Sequence, residues 1–87
     1  METIKVQLSR EEIFNRLSDV LVEGLGVEKE EIQLESSLID DLGADSMDRY
    51  EILMKIEDEF KTAFDDEEIQ NADKIKDIID SIFNKLN

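Results

Sequence analysis

The chain has no cysteine and no histidine. Without cysteine there is no disulfide framework, no thiolate metal site and no thiol nucleophile. Without histidine the commonest general base and the commonest transition-metal ligand are missing. These two absences argue against catalysis by the chain itself. Proline is absent as well, and the three glycines all precede position 46, so long stretches are left uninterrupted for helices and hairpin signals are few. No stretch approaches the ~20 apolar residues of a membrane span. Residues 1–10 carry neither a long apolar run nor an arginine-rich amphipathic pattern. The expectation is a cytoplasmic protein with no stable membrane insertion. Basic residues are also scarce, with 10 Lys and Arg against 24 Asp and Glu and a formal charge of -14 at pH 7. Such a charge repels nucleic acid and anionic lipid alike and directs attention to protein partners with basic patches.

At 87 residues the chain reads as one domain and is expected to be a monomer. A domain of this size buries only ~60% or a little more of its unfolded surface, so its core must be economical. No internal repeat, low-complexity tract or linker interrupts it. The expected fold is all-α: a small four-helix bundle spanning 10–86, with a long ordered loop between helices one and two, a short third helix and an N-terminal tail over 1–9. Thr3 to Leu8 alternates polar and apolar residues, but a lone strand has nothing to pair with. That segment is read as a tail that packs on the body through Ile4 or Val6.

Ser9-Arg10-Glu11-Glu12 is a capping-box start for helix one. Ile13, Leu17, Val20 and Leu21 then form an apolar stripe with Phe14 beside it, and Gly24 and Gly26 are read as left-handed stops. From Val27 to Ala44 no period is sustained. Even so, Ile32, Leu34, Leu38, Ile39 and Leu42 are too many apolar residues for a solvated loop, so the segment is expected to be pinned to the core. Helix two should start at Ser46, with Asp45 as N-cap and Asp48 favourable to the dipole, and end near Phe60. At about 100° per residue, Ile52, Leu53, Ile56 and Phe60 share one quadrant, whereas Met47, Tyr50 and Met54 lie well over 100° away. Glu51 and Asp58 flank that second stripe on one side and Glu57 on the other. A helical turn over 66–71 is predicted next, with Ile69 and Ala72 facing inward. A last helix follows, capped by Asp73, with Ile75, Ile78, Ile79, Ile82 and Leu86 at core spacing and Phe83 adjacent.

An isolated Asp-Ser pair is usually a helix cap or a solvated surface. Here Ser46 heads a helix, where free amides and the macrodipole favour an attached phosphate. Asp41-Leu42-Gly43-Ala44-Asp45-Ser46-Met47-Asp48 resembles the phosphopantetheine attachment motif of acyl carrier proteins, commonly D-L-G-A-D-S-L-D. The likeness continues through Leu25-Gly26-Val27 and the acidic Glu51 to Phe60 segment, and it can be followed from about Arg10 to Leu86.

The resemblance implies a single acyl carrier domain that is not an enzyme. A phosphopantetheinyl transferase would move 4'-phosphopantetheine from coenzyme A to the Ser46 hydroxyl, with Asp45 supporting the modification. The arm's thiol, the sulfur that this sequence lacks, would then hold acyl groups as thioesters. Acyl-loading enzymes, ketosynthases and other fatty acid or polyketide enzymes would dock on Asp45, Met47, Asp48, Tyr50, Glu51, Met54, Glu57 and Asp58. The acids would speed encounter, and the methionines and tyrosine would supply adaptable apolar anchors. The alternative reading of that stripe as further core is disfavoured, because one face of a helix in so small a bundle is already occupied. An acyl cleft is implied among Ile52, Leu53, Ile56, Ala72 and Ile78.

Some positions depart from the family's commonest pattern. Met47 stands for leucine, Arg49 for a small hydroxyl residue, Tyr50 for a small branched one, Phe64-Asp65 for isoleucine and proline, and Ala72 for a larger aliphatic residue. Arg49 is read as a positive charge on an acidic surface, and the chain as a specialised carrier. A D-alanyl, polyketide or nonribosomal peptide carrier is the nearest alternative, and a helical adaptor with no covalent change at Ser46 is another. Asp40, Asp41, Asp45 and Asp48 prompt a calcium reading. No window supplies the alternating ligands, sixth-position glycine and twelfth-position glutamate of an EF-hand, so no metal site is assigned.

Overall fold

The computed structural model describes residues 8–63 and 72–86. Over these residues the chain forms three α-helices: α1, Arg10–Leu25; α2, Ser46–Phe60; and α3, Ile75–Leu86. A 3-10 turn, Lys29–Glu31, lies in the connection between α1 and α2. The short helix predicted over 66–71 and the tail contacts through Ile4 or Val6 lie outside the described residues. The expected helix three is therefore not among these elements, and α3 here denotes the last helix.

The capping box of α1 forms as its spelling requires: the Glu12 amide donates to Ser9 Oγ at 3.2 Å, and Glu12 Oε1 accepts from the Ser9 amide at 3.4 Å. The helix stops on Gly26, which adopts φ 70° and donates its N–H to the Val22 carbonyl. Gly24, also expected to be left-handed, is instead helical. It lies in the last turn facing α2, where a Cβ would meet Ile52 Cγ1 at 3.7 Å and Lys55 Cδ at 3.9 Å. One left-handed residue is enough to end a helix, and Gly26 supplies it.

α1 packs against both α2 and α3. Its Ile13, Leu17 and Leu21 are wholly buried with Val20 beside them. They meet Ile52, Leu53, Ile56 and Phe60 of α2 and Ile75, Ile78, Ile79 and Ile82 of α3 in one core. Phe14, Phe83 and Leu86 pack against it from the edge. The stripes predicted from helical periodicity are thus the stripes that are buried. Each fully buried aliphatic side chain contributes about 1.5–3 kcal/mol by removal from water, and these residues are what hold the helices together.

The α1–α2 connection is pinned as expected, but not through every apolar residue. Ile32, Leu38, Leu42 and Ala44 are buried, whereas Leu34 and Ile39 remain about half exposed, at 52% and 46%. An isolated antiparallel bridge between Ser37 and Lys74 anchors the loop; Ser36, Ser37 and Leu38 are buried there, while Leu34 and Ile39 lie in the turns on either side and face outward. The loop also replaces the cap expected at α3. The amides of Ile75 and Lys76 donate to the carbonyls of Ser36, at 3.0 Å, and Leu34, at 2.9 Å. Asp73 sits one residue too early for the cap, and its carboxylate instead accepts the Ser37 hydroxyl and the Ile39 amide.

Glu35 reinforces this junction by taking Lys74 Nζ at 3.4 Å and Lys76 Nζ at 3.1 Å. Hydrogen bonds from Lys76 and then Lys74 hold the Glu35 carboxyl below its usual range, and Glu35 in turn raises the Lys76 ammonium. A carboxyl depressed in the folded state stabilises above its unfolded pKa, and the effect is lost as pH falls through the folded value; the raised lysine loses its share as pH rises through its own folded value.

Two outcomes follow from these contacts. Gly26→Ala lowers stability in urea denaturation by about 1–2 kcal/mol, although nothing lies within 4 Å of the new Cβ, because the cost is that of a left-handed backbone with a side chain. Glu35→Gln lowers the thermal midpoint modestly at neutral pH and low salt. The gap from the parent protein closes below the carboxylate range and again above the lysine range, and it shrinks in high salt as exposed ion pairs are screened. A gap that is constant across pH would contradict the Glu35 assignment.

Candidate functional site

Asp41 to Asp48 turns the loop into α2, and each step has a local cause. Ser37 organises the approach. Its carbonyl accepts the amides of Asp41 and Leu42 at 2.9 and 3.0 Å, its amide donates to Asp41 Oδ2 at 2.7 Å, and its hydroxyl accepts the Asp40 amide at 3.0 Å. Gly43 then takes φ 73°, the left-handed conformation that costs glycine least. The Ala44 amide returns to the Leu38 carbonyl at 2.8 Å, with Ala44 buried. The chain therefore enters α2 from a fixed direction.

Asp45 is the N-cap of α2, as predicted. Its Oδ1 accepts the Asp48 amide at 2.8 Å, and Asp48 Oδ2 accepts the Asp45 amide at 3.2 Å. This is a reciprocal box of the same kind as the Ser9–Glu12 pair. Asp48, expected to favour the dipole and to join the docking residues, is also half of the cap. The Asp-x-x-Asp spacing was the available signal.

Ser46 is the first residue of α2 and is exposed. Among the described residues no hydrogen bond holds its side chain. A free hydroxyl at the positive end of a 15-residue helix, beside backbone amides that no helical carbonyl can reach, suits a phosphodiester: the anion is favoured by the amides and dipole, and the tether beyond it leads into solvent.

The other predicted residues separate by face. Met47, Tyr50 and Met54 are exposed at 75%, 64% and 57%, which excludes them from the core. Asp45, Glu51 and Asp58 are exposed on the same helix, while Asp48 and Glu57 are half-buried. Met54 and Asp58 also line a groove of about 300 Å³ between α1 and α2, with Val20, Glu23, Lys55 and Glu59. Ile52, Leu53, Ile56, Ala72 and Ile78 are all buried, none above 7% exposure. They belong to the core they were expected to share.

Arg49 differs from its reading as a surface charge. It is half-buried, and its Nη2 donates to the Ala72 carbonyl at 2.9 Å, joining α2 to the segment that leads into α3. Ser37 and Asp73 were also missed as the residues that brace the loop behind Ser46. Their contact spans 36 positions, and no local pattern announces it. Among the described residues no group of three or more acidic side chains is arranged to hold a metal ion, and no helix is long and apolar enough to cross a membrane.

With this geometry in hand, comparison with known proteins places the chain. Residues 15–82 match the family described as "Phosphopantetheine attachment site", so the class is that of proteins bearing this prosthetic group. The chain is 41% identical to the acyl carrier protein of Thermotoga maritima over 78 residues, covering 90% of this chain and 96% of that one. It is 40% identical to the acyl carrier protein of Clostridium acetobutylicum over 70 residues, covering 80% and 91%. With the acyl carrier protein of Nitratidesulfovibrio vulgaris it shares 41% identity over 70 residues, covering 80% and 92%. The chain belongs to the acyl carrier protein family.

Asp45→Ala is expected to lower stability by about 1 kcal/mol, while Asp45→Asn, which can still accept from the helix amide, retains most of it. Urea titrations of both variants check this, and equal losses would mean that charge rather than capping governs position 45.

Proposed function

We propose that the chain carries acyl groups as thioesters on a 4'-phosphopantetheine arm attached through Ser46 Oγ, and presents them to enzymes of fatty acid biosynthesis or a related pathway. The observation that carries this reading is an exposed, unbonded serine hydroxyl at the head of α2, within the D-L-G-A-D-S-M-D segment covered by the family match. The Ser46 oxygen attacks the coenzyme A phosphate to which pantetheine is joined. The pyrophosphate bond breaks, the nucleotide leaves as the bisphosphate, and the hydroxyl proton passes to a base on the transferase. The chain needs no base of its own, and the carrier performs no catalysis. Asp45 has its Oδ1 engaged by the helix, and its carboxylate supports the transferase's handling of the adjacent serine.

The exposed stripe of Met47, Tyr50 and Met54, with Asp45, Asp48, Glu51, Glu57 and Asp58 around it, forms the docking face. A net charge of -14 attracts partners with basic patches from a distance, and the three apolar side chains supply the desolvated centre that gives such contacts their strength. The aliphatic interior bounded by Ile52, Leu53, Ile56, Ala72 and Ile78 receives the acyl tail, because its side-chain walls are wholly hydrocarbon. The relatives are acyl carriers, which supports an acyl cargo over a D-alanyl or peptidyl one. Tyr50 and Arg49, at positions where the family commonly has small residues, support a specialised member; the reading includes a monomer in the cytoplasm.

The test is intact mass before and after incubation with coenzyme A and a phosphopantetheinyl transferase. A gain of one phosphopantetheine that Ser46→Ala abolishes is the expected result. Modification that persists in Ser46→Ala, or none in the parent protein, overturns the assignment.

A further inference from the structure

The buried stripe of α2 runs through Phe60, Ile56, Leu53 and Ile52. Continued one turn toward the helix N-terminus, it passes through position 49, which lies about 20° from Ile56 and about 40° from Leu53 around the helix. An arginine stands where the pattern calls for an aliphatic residue, so a cation occupies the end of the apolar seam nearest Ser46. It is turned inward, and its Nη2 holds the carbonyl of the buried Ala72 at 2.9 Å.

That contact closes a circuit. Ala72 precedes Asp73, whose carbonyl accepts the Leu38 amide at 3.0 Å and whose carboxylate accepts the Ser37 hydroxyl and the Ile39 amide. The Leu38 carbonyl accepts the Ala44 amide at 2.8 Å, and Ala44 leads directly into the Asp45 cap. The first turn of α2 is thus bonded to the 72–73 segment, that segment to the loop, and the loop back to the start of α2. Ser46 sits where the circuit closes.

We propose that Arg49 is a positioning residue that latches the attachment end of α2 to the 72–73 segment and thereby sets how long an acyl chain the aliphatic interior beside Ser46 accepts. The proposal rests on Ser46 as the attachment point. An acyl chain folding back from Ser46 along the α2 seam passes position 49, one turn into the helix. Parting α2 from Ala72 to make room breaks the guanidinium–carbonyl bond. A charge-assisted hydrogen bond at such a site changes an opening equilibrium by about tenfold or more. A short acyl group that stays outside does not depend on this opening, so the latch discriminates by length.

Two measurements test it. Amide hydrogen exchange on the unmodified protein compares the parent with Arg49→Ala and Arg49→Lys. Arg49→Ala is expected to speed exchange about tenfold at Leu38, Ile75 and Lys76, whose amides cross the junction, while Leu17 and Leu21 within α1 stay unchanged; Arg49→Lys recovers part of the protection. Unchanged rates at the junction, or equal acceleration in α1, overturn the latch. On the arm-bearing protein, acetyl and octanoyl thioesters are then cleaved with hydroxylamine. Arg49→Ala is expected to slow octanoyl release relative to acetyl release severalfold, a change that mere loss of stability would not produce. An unaltered ratio overturns the length-selecting role. Failure of the parent protein to take the arm overturns Ser46 as the attachment point and the length selection with it, while the exchange rates still decide whether the latch exists.

Discussion

The bridge between Ser37 and Lys74 is the contact on which the presentation of Ser46 depends. It joins the long loop to the start of α3, and the hydrogen bonds flanking it serve both elements. The loop carbonyls of Leu34 and Ser36 satisfy amides at the head of α3, where a helix would otherwise leave them unpaired. The same bonds immobilise the loop, so that Leu38 and Leu42 are buried and Gly43 can turn the chain into α2 from a fixed direction. A loop of this length with no regular structure would be costly to order on its own. Here its backbone polar groups are used to build the end of a helix, and its apolar residues enlarge the core.

α2 divides its surface in two because its two apolar stripes have different fates. One is buried against α1 and α3, and the other is exposed among acids. In a larger protein a third layer would cover the second stripe. Among the described residues no further layer covers it, and Met47, Tyr50 and Met54 remain in water. Ser46 stands at the head of the same helix.

A charge of -14 on so small a body opposes compaction through self-repulsion. The structure moderates this locally. Carboxylates are used at the Ser9–Glu12, Glu28–Glu31 and Asp45–Asp48 capping boxes, at the Ser37–Asp73 contact and in exposed ion pairs such as Arg10 with Asp80 at 3.0 Å and Arg16 with Glu59 at 3.5 Å. Exposed pairs of this kind contribute little each. Further acids, Glu51 and Asp58 among them, are exposed along α2.

Much of the protein was legible in its sequence. Helical periodicity identified the buried stripes of α1, α2 and α3, because side chains three and four residues apart must share a face. The capping spelling at Ser9 and Asp45 set the helix starts, because a cap is a bond between residues three apart. The motif around Ser46 identified the family, because that segment is contiguous. What tertiary structure alone decided are the contacts between residues distant in the chain. Asp73 braces the loop and does not cap a helix, Leu34 and Ile39 face outward, and Arg49 reaches across to Ala72 and does not project from the surface. No local rule predicts these, because each depends on where a second segment comes to lie, and that position is fixed only when the core packs.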